Sequence, residues 1–312
     1  MHYAGSLQRR WDILKVAMKL TNKLLIKIAD VVYAVTSAER TLKFKLEGTA
    51  QDFVIRRSKP DITIEARLED LSNLRPRGKM VFDSGVLWQL YRDNGTYTFS
   101  FKTDALGSIP YRVAKINEDF RSGEVLFHRP YFEGKQYIHP LEYPLDELLF
   151  INYLSLTQGI ELHACGVVDS HGKGHLFLGQ SGAGKTTTAR LWQNEPGITI
   201  LSDDRIILRK IDNQIWMYGT PWHGEAAFAA PKRALLTRVY FLKKGPQNQL
   251  LRLRMVESMG NFFACSFPPL YNRQALDSMM GFLSEVVGVV PCYELRFLPD
   301  KRVVEFVQQW RH

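Results

Sequence analysis

Gly179-Gln180-Ser181-Gly182-Ala183-Gly184-Lys185-Thr186 is the stretch whose residue types and spacing could do chemistry. It satisfies G-x-x-x-x-G-K-[ST], in which glycines let several backbone N–H groups converge on one anion and the following helix adds its positive end. Lys185 can reach β- and γ-phosphates, and the Thr186 hydroxyl can enter the shell of a Mg²⁺. A chance match in a chain of this length has a probability of roughly one per cent. The apolar run His175-Leu176-Phe177-Leu178 before the loop reads as a buried strand, and Thr187-Thr188-Ala189-Arg190-Leu191-Trp192 after it as a helix, the context the motif requires. A nucleotide phosphate site is the reading.

Two further groups could join it. Ile198-Thr199-Ile200-Leu201 reads as a strand ending in Ser202-Asp203-Asp204-Arg205. Carboxylates at a strand end after a phosphate loop can anchor a metal or take a proton, although adjacent like charges repel unless a cation separates them. Gly219-Thr220-Pro221-Trp222-His223-Gly224-Glu225 is either an active-site loop offering His223 or Glu225, or a rigid turn. Arg273 reads most simply as a surface arginine, and His128 and His139 as isolated structural or exposed residues.

The elements that must position these groups follow from periodicity. Residues 6–30 carry apolar positions at helical spacing and lysines at 15, 19, 23 and 27, which predicts an amphipathic helix with a solvated basic ridge. From 31 to about 137 the period falls to two. Strands are expected at Thr41–Glu47, Asp61–Glu65 and Val125–Phe127, and a hairpin joins Leu87–Tyr91 to Thr96–Phe101 through Asn94-Gly95. The expectation there is an antiparallel β-rich domain over 31–140. After Pro140 and Pro144 a helix spans Leu145–Leu156, and a strand over 160–168 feeds the phosphate loop through the polar turn 169–174. Further on, a strand at 239–242, a helix at 274–287, a strand at 292–297 and a last helix from Lys301 complete an α/β (α+β) two-domain chain, its second domain covering 141–312.

Bulk properties narrow the function class. The chain has 312 residues, three widely spaced cysteines and a formal charge of +9. The cysteines lack zinc or disulfide spacing, no leader is visible, and no stretch reaches the ~18 apolar residues of a membrane span. A cytoplasmic protein is expected. The basic residues are scattered and no nucleic-acid motif occurs, so no nucleic-acid partner is expected.

Assembled in order, Leu162-His163-Ala164-Cys165-Gly166, the Gly179–Thr186 loop and Ser202-Asp203-Asp204-Arg205 resemble the catalytic core of the HPr kinase/phosphorylase family. The fold of that family is related to phosphoenolpyruvate carboxykinase. The resemblance covers about residues 145–300, is strongest over 160–206, and points to the divergent HPr-kinase-related proteins. It implies that Gly179, Ser181, Gly182, Ala183, Gly184, Lys185, Thr186 and Thr187 bind ATP, and that Thr186 and Asp204 hold Mg²⁺. Asp203 would take the proton from an acceptor hydroxyl and His163 would tune the pair, with the two aspartate roles exchangeable. The acceptor implied is a serine of a protein or peptide, and related enzymes form homo-oligomers. Residues 1–140 do not resemble the sensor domain of the bifunctional enzyme, and its downstream glycine-rich phosphorolysis signature is not visible, so kinase chemistry without an efficient reverse reaction is expected. A non-catalytic ATP sensor, and a carboxykinase-like or small-molecule phosphotransferase, are the alternatives; ATP, GTP and pyrophosphate stay open as donors.

Overall fold

The computed structural model describes residues 22–310 of the chain. The strands are β1 (Lys23–Ile28), β2 (Val31–Thr36), β3 (Ile62–Glu69), β4 (Lys79–Asp83), β5 (Trp88–Asp93), β6 (Thr96–Phe101), β7 (Arg112–Asn117), β8 (Ser122–His128), β9 (Gly159–Val168), β10 (Lys173–Leu178), β11 (Thr199–Ser202), β12 (Arg205–Ile211), β13 (Gln214–Gly219), β14 (Arg233–Lys244), β15 (Gln249–Arg252) and β16 (Cys292–Phe297). They form two eight-stranded sheets, with few helices packed against them.

The first sheet has the order β1-β2-β3-β8-β7-β6-β5-β4. Its β5–β6 hairpin turns at Asn94-Gly95, both at positive φ (42° and 78°), as the Asn-Gly pair predicts. Three expectations are corrected here. The helix expected over 6–30 is a strand at Lys23–Ile28 followed by a turn at 29–30, and its part before residue 22 lies outside the described residues. Its apolar residues pair with β2 from Ile28↔Val31 to Lys23↔Thr36 across a turn at Ala29-Asp30 (φ 50° and 60°). Asp30 suits that turn but Ala29 does not, and Asp30 is held by Lys27 at 2.7 Å, Tyr218 at 2.9 Å and Arg233 at 2.6 Å, so tertiary contacts override the helical spacing. The sheet is also not purely antiparallel, because β3 pairs in parallel with both β2 and β8. Thr41–Glu47 alternates as expected, burying Leu42, Phe44 and Leu46, but meets another strand-like segment only at the Phe44↔Ile138 bridge. Alternation there records one buried side, not a ladder.

The second sheet runs β10-β9-β12-β13-β14-β16-β15, with β11 on β9. Because β10 also pairs in parallel with β14, the ladder closes through β9, β12, β13 and β14. The expected feeding hairpin is present as β9–β10, antiparallel from Gly174↔Val168 to Leu178↔Ala164. One face carries the helices Lys185–Trp192 and Arg302–Gln309 over Phe177, Tyr240 and Leu295. The other carries Met255–Ala264 and Arg273–Val289 over Leu162, Leu176 and Val239. The two sheets share a core. Ile207 of β12 and Tyr218 of β13 cluster with the first sheet and with Leu145–Leu156, the helix that later supplies Glu147 to the site. No described helix is long and apolar enough to cross a membrane.

Candidate phosphate-binding active site

The loop after β10 is shaped by its glycines. Gly182 (φ +79°) and Gly184 (φ +107°) sit in the left-handed region, and a Cβ on Gly184 would meet Phe297 Cζ at 2.8 Å. A Cβ on Gly179 would lie 2.6 Å from that of Ala183, so the loop closes tightly, and Ala183 N–H donates to Gln180 O at 3.1 Å across it. Ser181 and Gly182 are exposed, Thr186 and Thr187 are half-buried in the first turn of the helix, and the buried Thr188 hydroxyl has no hydrogen-bond partner among the described residues. A cavity of about 440 Å³ opens beside the loop between Gly179–Ala183, Lys244 and Asn261, within the size range of small-ligand sites.

Lys185 is folded back into the protein. Its ammonium donates to Gly179 O (2.7 Å), to His163 Nε2 (2.8 Å) and to Gln180 O (3.3 Å), which uses all three N–H groups. Burial lowers its proton affinity, and Asp204 pulls it back part of the way. Because His163 Nε2 accepts from Lys185, the ring proton falls on Nδ1, which faces Asp204 Oδ1 at 3.1 Å. The Arg205 guanidinium lies 3.0 Å from the same Nδ1 and is ion-paired with Asp204 Oδ2. The structure thus brings Lys185, His163, Asp204 and Arg205 into one continuous polar chain at the foot of the loop.

The two adjacent aspartates have different surroundings. Asp203 is 1% exposed, and its oxygens accept from the backbone N–H of Gly224 (3.0 Å) and of Ala226 (3.1 Å). Asp204 keeps a quarter of its side chain exposed. Burial would raise its carboxyl, but the hydrogen bond from His163 and the charges of Arg205 and Lys185 together hold it below the usual range. Both its oxygens are engaged, by His163 and by Arg205, so a metal-side role would require Arg205 to release one.

Several residues at the site carry no sequence signal of their own. Arg205 Nε donates to Glu147 at 2.6 Å and lies 3.5 Å from Glu161, and its guanidinium covers the Phe267 ring at 4.4 Å. Burial weakens the charge on Arg205, and Glu147 and Asp204 more than restore it. Glu161 is driven well above the carboxylate range by burial, with Glu147 adding to it. Glu147 sits in the Leu145–Leu156 helix, where helical periodicity offers no reason to single it out. The Gly219–Glu225 motif acquires a place too. A Cβ on Gly224 would come within 2.8 Å of Asp203 Oδ2, so only glycine lets this turn approach the aspartates. Trp222 Nε1 donates to Asp146 Oδ2 at 2.7 Å, and Ser202 Oγ donates to Trp222 O at 3.0 Å. His223 and Glu225 point to solvent, and Arg273 is 94% exposed beside Asp277. His128 is structural, its Nδ1 accepting from Leu71 N at 3.0 Å.

No family model matches the chain, and no curated protein matches it. Among solved structures it is similar to the HPr(Ser) kinase/phosphatase from Coxiella burnetii, at 13% identity and a TM-score of 0.26, over 47% of this chain and 90% of that one. A likeness that slight adds no weight to either fold or function, which rest on the site itself.

Proposed function

We propose that the chain is an ATP·Mg²⁺-dependent kinase acting on a hydroxyl, a serine of a protein or peptide. The observation that carries this reading is the unbroken contact chain Lys185–His163–Asp204–Arg205 at the foot of a glycine-shaped phosphate loop. A purely sensory loop needs the lysine but not the exposed carboxylate beyond it.

The residues fit the nucleotide. Two left-handed glycines, the free helix N-terminus and a lysine held only by neutral acceptors make a cradle for phosphate oxygens. Thr186 would hold Mg²⁺ together with phosphate oxygens and waters, the usual mixture for that ion, which does not need a cage of several carboxylates. Bound there, ATP·Mg²⁺ would supply the transferable phosphoryl group. The protein's own part is positioning and proton transfer. Lys185 exchanges Gly179 O and His163 for phosphate oxygens and neutralises their charge. Of the two exchangeable assignments, exposure favours Asp204 as the carboxylate that takes the acceptor's proton, on the oxygen that Arg205 releases and with His163 fixing its orientation. Asp203, sealed under Gly224 and Ala226, holds that turn against the site.

The test is transfer of labelled γ-phosphate from ATP·Mg²⁺ to proteins and peptides of the native host, with Asp204→Asn as control. Label on a serine that disappears in the variant supports the reading. ATP bound at the loop with no transfer to any protein, peptide or small hydroxyl compound overturns it and leaves a nucleotide sensor.

A further inference from the structure

We propose that the chain carries a second anion site, at the end of β10 remote from the phosphate loop, that takes a small phosphomonoester. The site lies about 17 Å from the loop, the length of five residues of extended strand. It is a separate cavity of about 570 Å³ lined by Asp169, Lys173, His175, Thr237, Arg238 and Trp310 among others, a volume suited to a small metabolite.

The sheet register builds it. β10 and β14 are parallel neighbours, and a shift between Gly174 and His175 sets His175 opposite Arg238. Lys173, two residues before His175, shares its face of the strand. Further along that face, Phe177 and Tyr240 stack at 4.9 Å beneath the helices, whereas cover runs out at Lys173 and Arg238. Two cations are left at the cavity with no ion-pair partner among the described residues.

The one carboxylate in the lining is engaged by its own neighbours. Asp169 Oδ1 accepts from the N–H of His171 (2.9 Å) and of Lys173 (2.9 Å), and Oδ2 lies 3.2 Å from His175 Nε2. His175 is buried, its Nδ1 lies 3.3 Å from Tyr240 OH, and it stacks on Trp192 at 5.5 Å. Asp169 and His175 therefore hold each other in a fixed floor, while Lys173 makes no salt bridge to it and Arg238 is held by the Tyr240 hydroxyl rather than by a carboxylate. Thr237 Oγ1 donates to Gly174 O at 2.7 Å, so its proton is already used. A guanidinium fork and an ammonium on adjacent strands suit a tetrahedral oxyanion carrying more than one charge. The Trp310 indole offers the carbon body of such a ligand an apolar wall. This site stands apart from the kinase reading and does not depend on it.

The experiment is equilibrium dialysis of the full chain with ³²P-labelled inorganic phosphate, competed by ribose 5-phosphate. Lys185→Ala, which disables the phosphate loop, should keep one saturable phosphate site. Adding Lys173→Gln and Arg238→Gln should weaken that site at least about tenfold, with unchanged thermal melting. Should the triple variant melt early, phosphate-induced quenching in Lys185→Ala that vanishes in Lys185→Ala/Trp310→Phe serves as the independent readout. Loss of all saturable binding in Lys185→Ala overturns the proposal. So does unchanged binding after the Lys173 and Arg238 substitutions, or failure of ribose 5-phosphate to compete.

Discussion

Replacing each aspartate in turn by asparagine separates a residue that holds the structure from one that performs the chemistry. Asp203 receives two backbone N–H groups, one on each oxygen, and is 1% exposed. Asparagine keeps one of these bonds and turns its amide hydrogens toward the other donor. The lost bond to a charged acceptor is worth about 1.5–3 kcal/mol, and the donor left buried without a partner adds about 1–3 kcal/mol. Asp203→Asn should therefore destabilise the protein by about 2.5–6 kcal/mol, which at roughly 2 °C per kcal/mol for a chain of this size lowers Tm by about 5–12 °C. Asp204 is a quarter exposed, and Arg205 retains Glu147 when it is replaced. Asp204→Asn should then cost no more than about 1 kcal/mol, as expected for a partly screened pair, while abolishing transfer. Calorimetric melts of both variants beside the labelled-phosphate assay decide the matter. Equal Tm losses, or an Asp203→Asn protein that melts normally yet transfers nothing, would refute the division of roles.

Two other outcomes follow from the same geometry. Gly184→Ala must place an L-residue at φ +107° and a methyl 2.8 Å from Phe297 Cζ, at about 1–3 kcal/mol of backbone strain plus the clash. ATP binding by titration calorimetry should weaken at least about tenfold, and unchanged affinity would show that the loop does not bind the phosphates. Asp146, buried under Trp222, has its carboxyl raised to about 7, with burial the first cause and the hydrogen bonds from Trp222 and Glu147 opposing it. A raised carboxyl holds its proton in the folded state after the unfolded chain has lost it. Its contribution to stability is therefore fully present below about pH 4 and is lost as pH rises to about 7, at up to about 1.4 kcal/mol per pH unit. Denaturant melts of the native chain and Asp146→Asn from pH 4 to 8 should diverge with that sign, and parallel curves would reject it.

Local chemistry made the glycine-rich loop and its flanking strand and helix legible, because a glycine-curled loop needs those residues wherever it is found. The same holds for the Asn94-Gly95 hairpin and for the β9–β10 pair, whose turn residues state their backbone preference directly. The first strand was not legible. Lys23–Ile28 has spacing that suits a helix, and only pairing with β2 and the grip of Tyr218 and Arg233 on Asp30 select the strand. Nor could periodicity order β3 between two parallel neighbours, since strand order depends on partners far along the chain.

The site divides the same way. In the candidate site, motif spacing pointed to Lys185, Thr186 and the Asp203-Asp204 pair, whose chemistry is a local property, and the family resemblance pointed to His163. Tertiary structure decided which aspartate meets solvent, that Gly224 can approach Asp203 where any larger residue would collide, and that Glu147 and Phe267 converge on Arg205. It also set Arg238 across from His175, 63 residues apart in sequence, which places two cations without a salt bridge among the described residues on a second cavity. Burial and charge balance are properties of neighbours, and neighbours are assigned only when the strands pair.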